Sequence, residues 1–235
     1  MRRTLGALLL LASFAFAAVA PAQIRVGAPL PAAQGANEKS LAAKAQAALD
    51  AKQWGDAEAA LKQLVSSEPR WEYAEALGNA QLNQGHYEDS IASYQRAIDM
   101  AQKNAVPAAI GQIYTMIGNA DLKLKKNDAA IAAYEKAAAL DPNPAVAYFN
   151  ICATLYNIGE TVKTIAACDK AIAADPKKAD AYFVKGSVMI GQGVLGKNNK
   201  FTVPPGTVEA LNQYLVLAPS GGHAKEVKDM LDLLK

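Results

Sequence analysis

The chain has 235 residues, 51% of them hydrophobic and 20% charged, a composition that excludes a disordered segment or a chain embedded throughout in a bilayer. Its 24 Lys and Arg stand against 22 Asp and Glu, and removing Arg2 and Arg3 with the leader described below leaves 22 against 22. Without excess positive charge there is no basic stripe to release counterions from a phosphate backbone, so nucleic acid is excluded as the expected partner.

Arg2 and Arg3 open the sequence, an apolar run follows from Leu5 to Val19, and Ala20-Pro21-Ala22 precedes Gln23. The three zones predict a signal peptide over 1–22, cleaved after Ala22, and an exported protein, periplasmic or secreted. An uncleaved anchor would want roughly 20 apolar residues with polar flanks on both sides. No Cys stands near the cleavage point to carry a lipid, and no later stretch is apolar enough to span a bilayer, so no transmembrane segment is expected after cleavage. Residues 23–37 hold Gly27, Pro29, Pro31 and Gly35 without a helical period and read as a flexible linker.

Beyond residue 37, Ala-rich segments with apolar residues three and four apart alternate with breaks at Gly55, Gly85, Pro142, Gly159 and Pro176, which predicts an all-α chain. Small apolar residues at this density suit close helix packing and fit strands poorly. Pro142 and Pro176 lie 34 apart, as do Ala137 and Ala171, and Cys152 and Gly186. A two-helix period of this length marks an array in which no single pair buries its apolar face alone.

The segment Ala76-Leu77-Gly78-Asn79-Ala80, with Gln84-Gly85-His86-Tyr87, Ser90, Tyr94 and Ala97 after it, resembles the tetratricopeptide repeat (TPR) family almost position for position. A second copy runs through Tyr114, Ile117-Gly118-Asn119-Ala120, Asn127, Ala130, Tyr134, Ala137 and Pro142. A third holds Tyr148, Ile151, Cys152, Gly159, Thr164, Cys168, Ala171 and Pro176. A weaker one holds Trp54, Ala57, Leu61, Leu64 and Pro69. The resemblance, over about residues 38–219, implies a right-handed α-solenoid of about five TPR helix pairs. Their expected bounds are about 38–70, 71–104, 111–144, 145–178 and 179–219. Small residues such as Gly78 and Gly118 would let paired helices touch while Tyr94, Tyr134 and Leu61 fill the gaps.

Two places break the period. Gly78 and Gly118 lie 40 apart, which lengthens the helices flanking Pro107 or the turn between them. Thr164 and its counterpart Ala210 lie 46 apart, which leaves a twelve-residue excess in the last pair. The insert, 194–207, holds Gly196, Pro204, Pro205 and Gly206 and cannot be helical; a small hairpin around Asn198-Asn199 and an irregular loop both fit it. Residues 220–235 form one more amphipathic helix, with Ala224, Val227, Leu231 and Leu234 on one side, that caps the array. The last repeat with its insert is similar to exported TPR proteins of soil acidobacteria.

Chemistry is sparse. There is no phosphate loop, dinucleotide fingerprint, His-Glu-x-x-His motif or nucleophile elbow, and His86 and His223 read as turn and cap residues, so no catalytic residue, metal site or cofactor is expected. Cys152 and Cys168 fall on the two helices of one pair, offset by about one turn; a disulfide and two buried thiols both fit that placement.

In the TPR family the first helices line the concave face, and that resemblance implies a groove for a protein or peptide partner. It maps the groove to Asn79, Asn83, Asn119, Lys123, Phe149, Tyr156, Asn157 and Phe183, amides at one end and aromatics at the other. The amides would pair with an extended backbone and the aromatics grip an apolar side chain. The sites where chaperone cofactors clamp a terminal carboxylate hold Glu75, Met116, Val146 and Asn150 instead. The expected function is a non-enzymatic adaptor in the cell envelope, with a self-associating subunit of an envelope complex as the alternative and an enzyme with an unrecognised site as a third.

Overall fold

The computed structural model describes residues 29–103, 107–196 and 201–234; the signal-peptide assignment and Asn198-Asn199 lie outside the described residues. Within them the helices are α1 (Ala36–Asp50), α2 (Trp54–Ser67), α3 (Trp71–Gln84), α4 (Tyr87–Lys103), α5 (Pro107–Lys123), α6 (Asn127–Leu140), α7 (Ala145–Asn157), α8 (Thr161–Ala174), α9 (Ala179–Ile190), α10 (Thr207–Leu217) and α11 (Ala224–Asp232). They form a solenoid of five helix pairs closed by α11, each helix packed on the one before it. Two short strands, β1 (Val194–Leu195) and β2 (Phe201–Thr202), pair antiparallel inside the fifth pair, so the insert is a hairpin.

The turn within each of the first four pairs is built alike. One residue takes the left-handed conformation, Lys52, Gly85, Lys125 or Gly159 in turn. The next residue's N–H then reaches back five positions: Gln53 to Ala48, His86 to Gln81, Lys126 to Asp121 and Glu160 to Leu155. This is the helix-ending bond that satisfies otherwise orphaned carbonyls. The long gap between Gly78 and Gly118 is taken up by helix, since α4 and α5 each run 17 residues where α3 and α6 run 14.

Pair closure depends on one small residue. A Cβ on Gly78 would stand 2.6 Å from the Tyr94 ring, and one on Gly118 2.5 Å from that of Tyr134, both rings being fully buried. In the fourth pair the equivalent residues, again sixteen apart, are Cys152 and Cys168, and they are joined by a buried disulfide with Cα atoms 5.0 Å apart. The fifth pair slips. Counting by sequence sets Tyr214 opposite Gly186, whereas the residue that a Cβ there would strike, at 2.6 Å, is Leu211. The hairpin frees α10 to enter one turn out of step, and Tyr214 is released to hold the cap.

That hold is specific. The Tyr214 hydroxyl accepts the His223 N–H at 3.0 Å, and the His223 ring stacks on Phe183 with centroids 3.8 Å apart. Ala224 and Val227 of α11 are buried, and Lys225, Lys228 and Asp229 face water, the polar outer side that a solenoid end needs. At the other end, Glu58 of α2 is 8% exposed and accepts hydrogen bonds from Gln81 and Gln84, binding the first pair to the second. Burial works to raise the Glu58 pKa, but the bonds from Lys62, Gln84 and Gln81 prevail and hold it below the usual carboxylate value.

The segment ahead of α1, read as flexible linker through residue 37, differs from that expectation where it is described. α1 begins at Ala36, and residues 29–34 lie against α1 and α3 with Ala33 only 4% exposed.

Candidate functional site

The first helices of the second to fifth pairs carry all eight expected groove residues. At the amide end, Tyr94 donates its hydroxyl proton to Asn79 Oδ1 at 2.7 Å, and Tyr134 does the same to Asn119 Oδ1 at 2.7 Å. Each tyrosine therefore packs its ring on the glycine and steers the next residue's amide with its hydroxyl. Because the oxygen is engaged, Nδ2 is the donor that each amide has left. Asn119 Nδ2 is buried without a hydrogen-bond partner, an arrangement that costs on the order of 1–3 kcal/mol. Burial pushes the Tyr94 and Tyr134 pKa values well up, so both hydroxyls keep the proton that holds the amide.

Asn83 donates to the Asn79 carbonyl at 2.7 Å, which ties its Nδ2 to its own helix and leaves its oxygen outward. Lys123 and Asn157 are exposed, so the face between the pairs offers one cation and further amide groups to solvent.

The aromatic end differs from expectation. Phe149 and Phe183, assigned to grip an apolar side chain, are 4% and 2% exposed and belong to the core. The reason is volume: the two rings share a core cluster with Ala130 of α6 and Ala167 and Ala171 of α8, small residues that leave room for them. Lys178 Nζ lies 5.0 Å above the Phe149 ring, and Phe183 serves as the seat for His223. Tyr156 alone remains half-buried at the surface. Its pKa is raised by burial and by the Glu226 carboxylate of the cap.

The two tyrosine clasps were missed by sequence reasoning, although a signal was there: Asn79 and Tyr94 are fifteen apart, and so are Asn119 and Tyr134. His86 is exposed, with Nδ1 3.6 Å from Glu58 Oε2. Among the described residues no three His, Cys, Asp or Glu side chains are grouped to hold a metal ion, and no helix is long and apolar enough to cross a membrane.

Comparison with known proteins agrees with this geometry. Two family profiles match, one described as tetratricopeptide repeat over residues 42–105 and one as TPR repeat over residues 118–159. A sequence comparison with curated proteins gives no match. Among solved structures, a crystal structure of MamA protein superposes with a TM-score of 0.64 at 21% identity, covering 82% of this chain and 96% of that one. MamA from Desulfovibrio magneticus RS-1, residue 41 to its end, gives 0.63 at 19% identity over 81% and 99%. YrrB, described as a TPR protein with an unusual peptide-binding site, gives 0.59 at 18% identity over 83% and 94%. At these identities the likeness is one of fold. Repeat period, turn geometry, glycine contacts and family profiles converge, and the chain is a tetratricopeptide-repeat protein.

Proposed function

We propose that the protein is a non-enzymatic scaffold whose first-helix face, from Asn79 to Tyr156, binds an extended segment of another polypeptide in the cell envelope. The matched pair of tyrosine-held amides on α3 and α5 carries this reading. Two amides held by rings on successive first helices suit the carbonyls of an extended backbone, and Asn119 Nδ2, buried and unpaired in the free chain, gains a partner once a carbonyl reaches it. The exposed Lys123 and Asn157 continue the polar line toward Tyr156. The peptide-binding site ascribed to YrrB, a protein of the same fold, makes this use of the array natural. An exported setting is consistent with the Cys152–Cys168 disulfide, since such bonds persist in oxidising compartments.

Photocrosslinking in living cells tests the reading, with probes at Lys123 and Asn157 and a control at Val162 on α8, which is 78% exposed. Discrete adducts from the first two positions, absent from Val162 and lost on Asn119→Leu, are expected. Adducts from Val162 alone would overturn the groove. Purified chain that elutes as a stable homo-oligomer and yields only self-adducts would instead select the assembly subunit.

A further inference from the structure

One non-helical segment already lies on the array. Residues 29–34 lie against α1, α3 and the turn between α2 and α3; their hydrogen bonds are made by main-chain atoms, while Leu30 packs on the core and Ala33 is buried. The Leu30 N–H donates to Gln46 Oε1 at 2.8 Å, and the Gln34 N–H donates to Glu68 Oε2 at 3.2 Å. Tyr73 donates its hydroxyl proton to the Pro31 carbonyl at 2.9 Å, and Arg70 Nη1 donates to the Ala32 carbonyl at 3.3 Å. A cleft of about 310 Å³ lies between the segment and the Lys39, Ala42, Ala43 and Gln46 side of α1.

The position of Gln46 matters. It stands fifteen residues before Leu61, as Asn79 and Asn119 stand fifteen before Tyr94 and Tyr134, so it is the first pair's equivalent of the clasped amides. The other three side chains support one another: Arg70 lies 3.6 Å from Glu68, 3.5 Å from Glu72 and 5.7 Å from the Tyr73 ring centroid. Acceptor and donor are thus held side by side, as reading an N–H and a C=O on one strand requires. The occupant matches. Pro29 and Pro31 have no N–H to leave unsatisfied, and proline pre-sets an extended backbone, so little conformational freedom is lost on docking.

We propose that Gln46, Glu68, Arg70 and Tyr73 form a binding site for an extended, proline-containing peptide segment, and that residues 29–34 occupy it as an internal pseudo-ligand which a partner segment of the same kind displaces. The recognition is of backbone, with Leu30 and Ala33 as the apolar anchors, so a competitor needs small or aliphatic residues at those two places and prolines flanking the first. The site does not depend on Asn79, Asn119 or Tyr156, and each region can fail alone.

The test uses the full chain carrying Ala33→Asp, which places a carboxylate at a position that is 4% exposed and so expels the segment. The probe is a fluorescent peptide, Pro-Leu-Pro-Ala-Ala-Gln-Gly, the sequence of residues 29–35. It is expected to bind the Ala33→Asp chain at least about tenfold more tightly than the unmodified chain, because in the latter the site is open only a minor fraction of the time. Adding Tyr73→Phe and Arg70→Ala should remove that binding. A folded Ala33→Asp chain that ignores the peptide would overturn the proposal. Amide exchange of the unmodified chain decides the matter independently of any variant. Leu30 and Gln34 amides that exchange well ahead of those in α3 support a displaceable segment; protection equal to that of α3 makes it a fixed part of the first pair and sinks the idea.

Discussion

The second and third pairs close around a tyrosine ring, whereas the fourth closes around a disulfide, at the same two positions sixteen residues apart. The choice reaches beyond packing. Where a tyrosine closes the pair, the residue after the glycine is Asn79 or Asn119, and the phenol hydroxyl holds its amide. Where the disulfide closes it, no hydroxyl is present and the corresponding residue is Ala153, which is 3% exposed. A ring that fills the pair and also orients a groove amide couples stability to binding; a covalent clasp stabilises alone. The row of tyrosine-held amides accordingly stops where the disulfide begins.

The largest expected effect comes from removing a ring. Tyr134→Ala leaves a fully buried void over Gly118 and should cost about 3–5 kcal/mol, read as a shift of the denaturant midpoint. A loss below about 1 kcal/mol would mean that the glycine contact does not close the third pair. Next comes the covalent clasp. Cys152→Ala with Cys168→Ala, or reduction of the native chain, removes a cross-link over sixteen residues and should cost about 3 kcal/mol. Because arrays of this kind melt by neighbouring units, amide exchange should rise first in α7 and α8 while α3 and α4 keep their protection. Uniform loss of protection would show that the fourth pair is not an independent clasp.

Much of this architecture was legible in the amino-acid sequence because close contact leaves a signature. A glycine that must touch a ring recurs at Gly78 and Gly118, and the prolines at 142 and 176 repeat at 34, so pairs and their order followed. Other features leave weaker marks. Phe149 and Phe183 occupy first-helix positions that the family exposes, and only the small size of their neighbours, Ala167 and Ala171 among them, decides that they turn inward. The slip of α10 depends on how the hairpin re-enters the array, which spacing cannot report. Residues 29–34 have no period because what holds them is side chains of α1 and α3 and of the turn between α2 and α3, reaching main-chain atoms. Nothing in Pro29-Leu30-Pro31 itself records that.

A smaller perturbation separates the two roles of the ring. Tyr134→Phe keeps the contact with Gly118 but removes the hydroxyl that holds Asn119, and should cost only about 1 kcal/mol. Its expected effect on crosslinking from Lys123 is larger than on the denaturant midpoint, since the amide is freed to rotate. Equal effects on both would mean that the hydroxyl serves the core alone.

The last test is the most demanding, because it rebuilds one kind of pair as the other. Cys152→Gly, Ala153→Asn and Cys168→Tyr together give the fourth pair the three residues that close the second and third. The swap adds side-chain volume at three buried positions, because Cys168→Tyr gains more than Cys152→Gly gives up, so it should cost about 1–2 kcal/mol against the oxidised parent as α7 and α8 ease apart to admit the ring. Stability should no longer depend on reductant, because no thiol remains in the chain. A folded variant of this kind would show that ring and disulfide are interchangeable closures of one geometry, and it would carry a third tyrosine-held amide into the groove. A variant no more stable than the double alanine form would show the opposite: that α7 and α8, with Cα atoms 5.0 Å apart at the clasp, approach too closely for a ring, and that the fourth pair was shaped by its disulfide.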